Sequence, residues 1–139
     1  MKEELIKIEE LIGNFDDIKK SNIKELMHKF FTNLDNRLEN YVGDYPTFIE
    51  PVYLEDNVKI GDDVLLGPNV YIGANSEIQD YVEISNTIVF DNVKIGQNFK
   101  LDNCIVAKDS SLNFKNLNMK DSVLTGEPNS KDELQSKKL

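Results

Sequence analysis

From residue 52 onward the apolar side chains come in short triplets, apolar–x–apolar. They recur every six residues as Val52/Leu54, Val58/Ile60, Val64/Leu66, Val70/Ile72, Ser76/Ile78, Val82/Ile84 and Ile88/Phe90. With small changes of spacing the series continues through Val93/Ile95, Phe99/Leu101, Ile105/Ala107, Ser110/Leu112 and Leu117/Met119. Period two within a triplet sends both end residues to one side of a very short strand and the middle residue to the other. The stretches between triplets are rich in Gly, Asn and Asp, as in Gly61-Asp62-Asp63, Gly67-Pro68-Asn69, Gly73-Ala74-Asn75 and Gly96-Gln97-Asn98. Such residues suit tight corners with positive φ. Three-residue strands cannot sustain a hairpin sheet, but they can stack. Three strands and three corners then close one coil of about 18 residues that rests on the coil before it. A longer echo supports that period: Ile84-Ser85-Asn86-Thr87-Ile88-Val89 returns as Leu101-Asp102-Asn103-Cys104-Ile105-Val106 and as Met119-Lys120-Asp121-Ser122-Val123-Leu124, at offsets of 17 and 18 residues. Twelve triplets at three per coil predict about four coils of a mainly β, parallel β-helix of triangular section. Val58, Ile60, Val64, Leu66, Val70, Ile72, Val82 and Ile84 are expected inside.

The N-terminal pattern is helical instead. Leu5, Ile8 and Ile12 recur at helical spacing, with Leu11 beside them, and Gly13-Asn14 offers a stop. Asn22 followed by Glu25 has the form of a capping box, with Ser21 as a rival cap. Ile23, Leu26, Met27, Phe30, Phe31, Leu34, Leu38 and Tyr41 then follow at steps of three and four, which predicts an amphipathic helix from Ser21 to about Leu38. Its polar face carries Lys24, Glu25, Lys29, Asn36 and Arg37, and Gly43-Asp44-Tyr45-Pro46 breaks it. The chain thus divides into a helical segment 1–44, a β-helix 45–125 and a polar tail 126–139 that is expected to be disordered.

The six-residue theme over roughly 48–125 resembles the left-handed β-helix, hexapeptide-repeat superfamily. Within it, the Ile84–Val89 and Asp102–Val106 segments look most like the C-terminal β-helix of sugar-phosphate nucleotidyltransferases. The Ser21–Leu38 helix resembles the helix that links catalytic domain to β-helix in those enzymes. The left hand is what the resemblance implies, and so is kinship with acyltransferases and carbonic-anhydrase-like proteins.

Candidate chemistry is sparse. The resemblance would place histidines in the repeat, as acyltransferase base or zinc ligands. Here the sole histidine, His28, lies on the predicted helix. No Gly-rich phosphate loop with Arg and Lys precedes residue 40, so the nucleotidyltransferase catalytic set is missing from this stretch. Asp56, Asp62, Asp63, Asp80, Asp91 and Asp109 fall at corners, where polar turn residues are needed without any metal. Asn86 and Asn103 occupy equivalent corners one coil apart, which predicts a structural asparagine ladder. Cys104 takes the slot of Thr87 and Ser122 and reads as a small corner residue. No catalytic set, cofactor or metal is therefore expected. The net charge of −9 argues against nucleic acid and anionic lipid as partners. No apolar run reaches membrane-spanning length, and the start, Met1-Lys2-Glu3-Glu4, lacks a signal-peptide core. One cysteine fits a reducing cytoplasm.

Sorted by three-fold order, the outward residues form two mostly polar faces, Lys59/Glu77/Lys94/Ser111 and Leu65/Glu83/Lys100/Asn118. The third face, Tyr53, Tyr71, Val89, Val106 and Leu124, is apolar throughout. It needs a cover, either the N-terminal helix or a second chain. With Phe30, Phe31 and Leu34 of the helix, these residues are the interface candidates. The expected function is a non-catalytic β-helix module for oligomerisation or regulation. Its partners are a second copy (a dimer before a trimer) or a nucleotidyltransferase-like chain. The alternative is a hexapeptide-repeat acyltransferase, a transferase using an acyl-CoA-type donor at a subunit boundary. A third reading is a sensor that binds a sugar phosphate.

Overall fold

The computed structural model describes residues 2–14, 19–39 and 41–139. Two helices, α1 (Lys2–Ile12) and α2 (Lys20–Thr32), precede a parallel β-solenoid. Its first sheet stacks β1 (Tyr41–Gly43), β4 (Val58–Ile60), β7 (Glu77–Ile78) and β10 (Lys94–Ile95), and Ser111 adds a fifth rung through a bridge to Lys94. The second stacks β2 (Thr47–Phe48), β5 (Leu65–Leu66), β8 (Glu83–Ser85), β11 (Phe99–Asp102) and β13 (Leu117–Lys120). The third stacks β3 (Val52–Leu54), β6 (Val70–Ile72), β9 (Thr87–Val89), β12 (Ile105–Val106) and β14 (Ser122–Thr125), followed by an antiparallel β15 (Gln135–Lys138). The coils number five rather than four. The twelve triplets left out β1 and β2 of the first coil, where Gly, Asp and Pro dilute the apolar signal, and β14 of the last. All eight residues expected inside are buried.

The corners explain why so short a repeat folds. Among the described residues twelve non-glycine residues have positive φ, nearly all Asn or Asp, the types that enter the left-handed region at least cost. They fall into three stacked rows: Asn57/Asn75/Asn92/Asp109, Asp63/Tyr81/Asn98/Asn116 and Asn69/Asn86/Asn103/Asp121. Side-chain amides link successive coils, with Asn69 Nδ2 donating to Asn86 Oδ1 at 3.0 Å and Asn98 Nδ2 to Asn116 Oδ1 at 2.7 Å. At Gly67 (φ +114°) a Cβ would overlap the Ile49 carbonyl oxygen of the preceding coil, so only glycine fits.

The third sheet departs from the expected register. Val70, Tyr71 and Ile72 pair with Thr87, Ile88 and Val89, an offset of 17 residues. The corner before β9 (Ser85-Asn86) is one residue shorter than the corner before β6 (Gly67-Pro68-Asn69). A one-residue slip exchanges the faces of a period-two strand. Val89, Val106 and Leu124, expected outside, therefore belong to the interior cluster. The outward row is Tyr53, Tyr71, Ile88, Ile105 and Val123. These strands are apolar on both sides because both sides are buried, one by the solenoid and one by the helices.

That cover comes from the same chain. Leu5, Ile8 and Ile12 of α1 and Ile23, Met27 and Phe30 of α2 pack with Tyr71, Ile88, Ile105 and Val123 in one buried cluster. Phe30 meets the Tyr71 ring edge-to-face at 5.6 Å, and Tyr53 stacks on Tyr71 at 5.8 Å.

Two further expectations are corrected. α2 ends at Thr32, not near Leu38. Thr32 Oγ1 and Asn33 Nδ2 donate back to the carbonyls of His28 and Lys29, and Asn36 Oδ1 accepts from the Val52 amide. Such polar side chains compete with helix hydrogen bonds. The chain is extended by Arg37, whose amide donates to Val52 O while its carbonyl accepts from Leu54 N, a first rung on the third sheet. The helix starts at Lys20, so Ser21 and Asn22 lie in its first turn, and Lys19 at the N-cap makes no side-chain capping bond. The tail 126–139 is ordered: a 3-10 turn at Lys131–Glu133 leads into β15 on β14. Leu139 is buried with the helices, and Leu134 packs on the solenoid core. A tail without apolar period still closes the last coil through backbone pairing and two leucines.

Candidate functional site

The interface candidates separate into three groups. Tyr53, Tyr71 and Phe30 meet each other, but within the subunit. Leu34 is buried in the same cluster, and Phe31 is half-buried at its rim. Val89, Val106 and Leu124 face the interior. The third face is thus occupied, and the surfaces left open lie elsewhere.

One is the first coil. Among the described residues β1 and β2 are edge strands with no partner on their outer side. Thr47 and Ile49 donate to Val64 and Leu66 of the second coil, so the intervening Phe48 peptide groups point away from it. Of the five exposed large hydrophobics among the described residues, three, Val42 (65%), Tyr45 (96%) and Ile49 (47%), belong to this coil. The last coil contrasts with it, since residues 126–139 cover its third-sheet strand with β15 and add Leu134 and Leu139, leaving β13 as its unpaired edge among the described residues.

The second is a groove of about 470 Å³ between α2 and the asparagine row at the corner joining the second and third sheets. Lys24, Met27, His28, Phe31 and Thr32 form one wall; Asn69, Asn86 and Asn103 form the other. Positions 24, 28 and 31 lie along one helical line. The polar residue His28 therefore faces this corner, which periodicity alone did not indicate. A helix laid on the third sheet must pass one of its two corners, and that placement is tertiary information.

Elsewhere four of the corner acids hold structural partners. Asp80 Oδ1 and Asp91 Oδ1 accept from the Asp62 and Ala74 amides, and Asp109 Oδ1 accepts from Asn92. Asp56 pairs with Arg37 at 2.6 Å. Among the described residues no three His, Cys, Asp or Glu side chains gather as metal ligands. Cys104 is buried, its amide donates to Thr87 Oγ1 at 3.2 Å, and burial pushes its thiol up to about 11. It is a corner residue and a poor nucleophile. Burial, then the hydrogen bond to Glu55 at 2.9 Å, raises the Tyr71 phenol well above its ordinary value. No helix among the described residues is long and apolar enough to cross a membrane.

Comparison with curated proteins and with solved structures finds no match. The family model described as the GMPPB C-terminal domain matches residues 48–138, which takes in four full coils, the end of the first and the closing tail. The match confirms the resemblance drawn from the repeat. A parallel β-solenoid with this match is a nucleotidyltransferase-related β-helix module, and the chain belongs to the GMPPB C-terminal domain family.

Proposed function

We propose that the chain is a non-catalytic assembly module in which two copies dock through their first coils. The observation that carries the reading is the difference between the two ends of the solenoid. The tail covers two of the three strand positions of the last coil and leaves β13 unpaired, whereas the first coil presents two unpaired edges, β1 and β2, beside Val42, Tyr45 and Ile49. Unpaired edges with apolar neighbours are templates for further pairing. Among the described residues the last coil leaves β13 as its unpaired edge against β1 and β2 at the first, so contact through the first coils is favoured over head-to-tail addition. A head-to-head, two-fold contact uses the same surface on both subunits and closes at the dimer.

Sedimentation equilibrium tests this. At about 50 µM, a concentration that reveals micromolar association, the wild-type chain is expected as a dimer. Val42→Lys combined with Ile49→Glu places charge in that contact and is expected to give monomers with an unchanged circular dichroism spectrum. A monomeric wild type, or a variant that remains dimeric, overturns the reading.

A further inference from the structure

We propose that the carboxylates of the first coil gate the head-to-head contact by ionic strength, so that two copies dock only when salt screens their like charge. The inference rests on the dimer proposed above and adds its regulation.

Charge is unevenly distributed along the solenoid. Residues 30–58 hold six acids, Asp35, Glu39, Asp44, Glu50, Glu55 and Asp56, and one cation, Arg37. Arg37 is already committed: its guanidinium donates to Asp56 at 2.6 Å, to Glu55 at 3.4 Å and to the Leu54 carbonyl oxygen at 2.8 Å. The other four acids are exposed, and among the described residues none has a hydrogen-bond or ion-pair partner for its carboxylate. Lys59 stands one rung further in, in register between Val42 and Glu77. Residues 108–139, toward the other end, hold six lysines against five acids.

Asp44 and Glu50 adjoin the apolar contact. Asp44 lies between Val42 and Tyr45 where the chain turns from β1 to β2, and Glu50 follows Ile49 directly. Pro46 and Pro51 flank β2. Charge and proline beside an open strand edge are the devices by which sheets resist indiscriminate pairing. Here the exposed apolar side chains and the unpaired edges favour contact, and the carboxylates oppose it. A two-fold axis through this end sets the acids of one copy against the same acids of the other. The one cation of that stretch, Arg37, is held by Asp56 and Glu55 of its own chain.

Screening decides the balance. The Debye length falls from about 30 Å at 10 mM salt to about 8 Å at 150 mM. At the lower salt the carboxylates of one face act on all those of the other; at the higher salt only close pairs do. The head-to-head contact therefore tightens as salt rises. Head-to-tail stacking would set the acidic first coil against the lysine-bearing end, and such a contact between unlike charges loosens with salt. The sign of the salt response thus tells the two arrangements apart.

Sedimentation equilibrium near neutral pH, in NaCl at about 10 and about 150 mM, reads that sign. The wild-type dimer is expected to tighten at least about tenfold between the two. Asp44→Asn combined with Glu50→Gln keeps side-chain size and removes two charges from each copy. It is expected to tighten the dimer at the lower salt at least about fivefold and to cut the salt response to under about threefold, with an unchanged circular dichroism spectrum. A dimer of salt-independent affinity, or a variant with the wild-type salt response, overturns the gating and leaves the dimer standing. A dimer that loosens as salt rises overturns the gating and points to a contact between unlike charges. Wild type and variant monomeric at both salts overturn the dimer and the gating together.

Discussion

Truncating Phe30 to alanine tests how the helices are held on the solenoid. The side chain is 1% exposed and contacts the Tyr71 and Phe31 rings edge-to-face at 5.6 and 5.4 Å. Removing a buried phenyl ring forfeits its transfer free energy and leaves a cavity, together about 3–5 kcal/mol. The strands below it, with Ile88 and Ile105 fully buried, cannot close the gap without moving a stacked sheet. Phe31→Ala is the matched control. Phe31 lies on the same helix but is half-buried at the groove, so its truncation costs about 1–1.5 kcal/mol. With a urea dependence of about 2 kcal/mol per molar, Phe30→Ala is expected to lower the unfolding midpoint by about 1.5–2.5 M and Phe31→Ala by well under 1 M. Far-UV circular dichroism and tyrosine fluorescence follow helix and sheet separately. Equal shifts for the two variants, or a Phe30→Ala shift under about 0.5 M, would refute helix docking on the third sheet.

Three further outcomes follow from named residues. Tyr81 holds φ +58° in a row otherwise made of Asp and Asn, so Tyr81→Asn is expected to stabilise the chain by about 1 kcal/mol, read as a higher urea midpoint; a lower midpoint contradicts the corner geometry. Cys104 and Tyr71 keep their protons in the fold at a pH where the unfolded chain has lost them, so the folded state binds more protons and stability falls as pH rises. The Cys104 share, about 2–3 kcal/mol between the unfolded thiol value and pH 11, should vanish in Cys104→Ser, and equal slopes for wild type and variant above pH 9 count against it. Deleting residues 126–139 removes β15, Leu134 and Leu139 and is expected to lower the melting temperature by several degrees, as loss of about 1–3 kcal/mol would; an unchanged melting temperature shows that the tail does not close the last coil.

The solenoid was legible in the sequence because its code is local. A triplet fixes two inward residues, an Asn or Gly fixes a corner, and repetition supplies the coil. Register across corners of unequal length was harder. Val89 and Ile88 are both aliphatic, so hydrophobicity cannot say which points inward once both sides of the sheet are covered. The left-handed asparagines held the cue: aligning Asn69 with Asn86 places Tyr71 opposite Ile88 and moves Val89 inside. Leu34, Leu38 and Tyr41 kept helical spacing by coincidence, and only Asn33, Asp35 and Asn36 hinted at the break. The apolar third face was visible in outline; that α1 and α2 cover it in the same subunit is a tertiary fact. The groove at His28 was not legible, since it exists only where a helix passes a corner.

Spin labels tell the head-to-head dimer from every other arrangement. The buried Cys104 thiol resists labelling, so Asp44→Cys at the open coil and Asn129→Cys at the closed end can each carry a single label. Five coils at about 4.8 Å make each solenoid roughly 24 Å long. Dipolar spectroscopy is expected to place the two Asp44→Cys labels within about 15–30 Å and the two Asn129→Cys labels at roughly 50 Å or more. A short distance at Asn129→Cys, or no dipolar coupling at Asp44→Cys, contradicts assembly through the first coil.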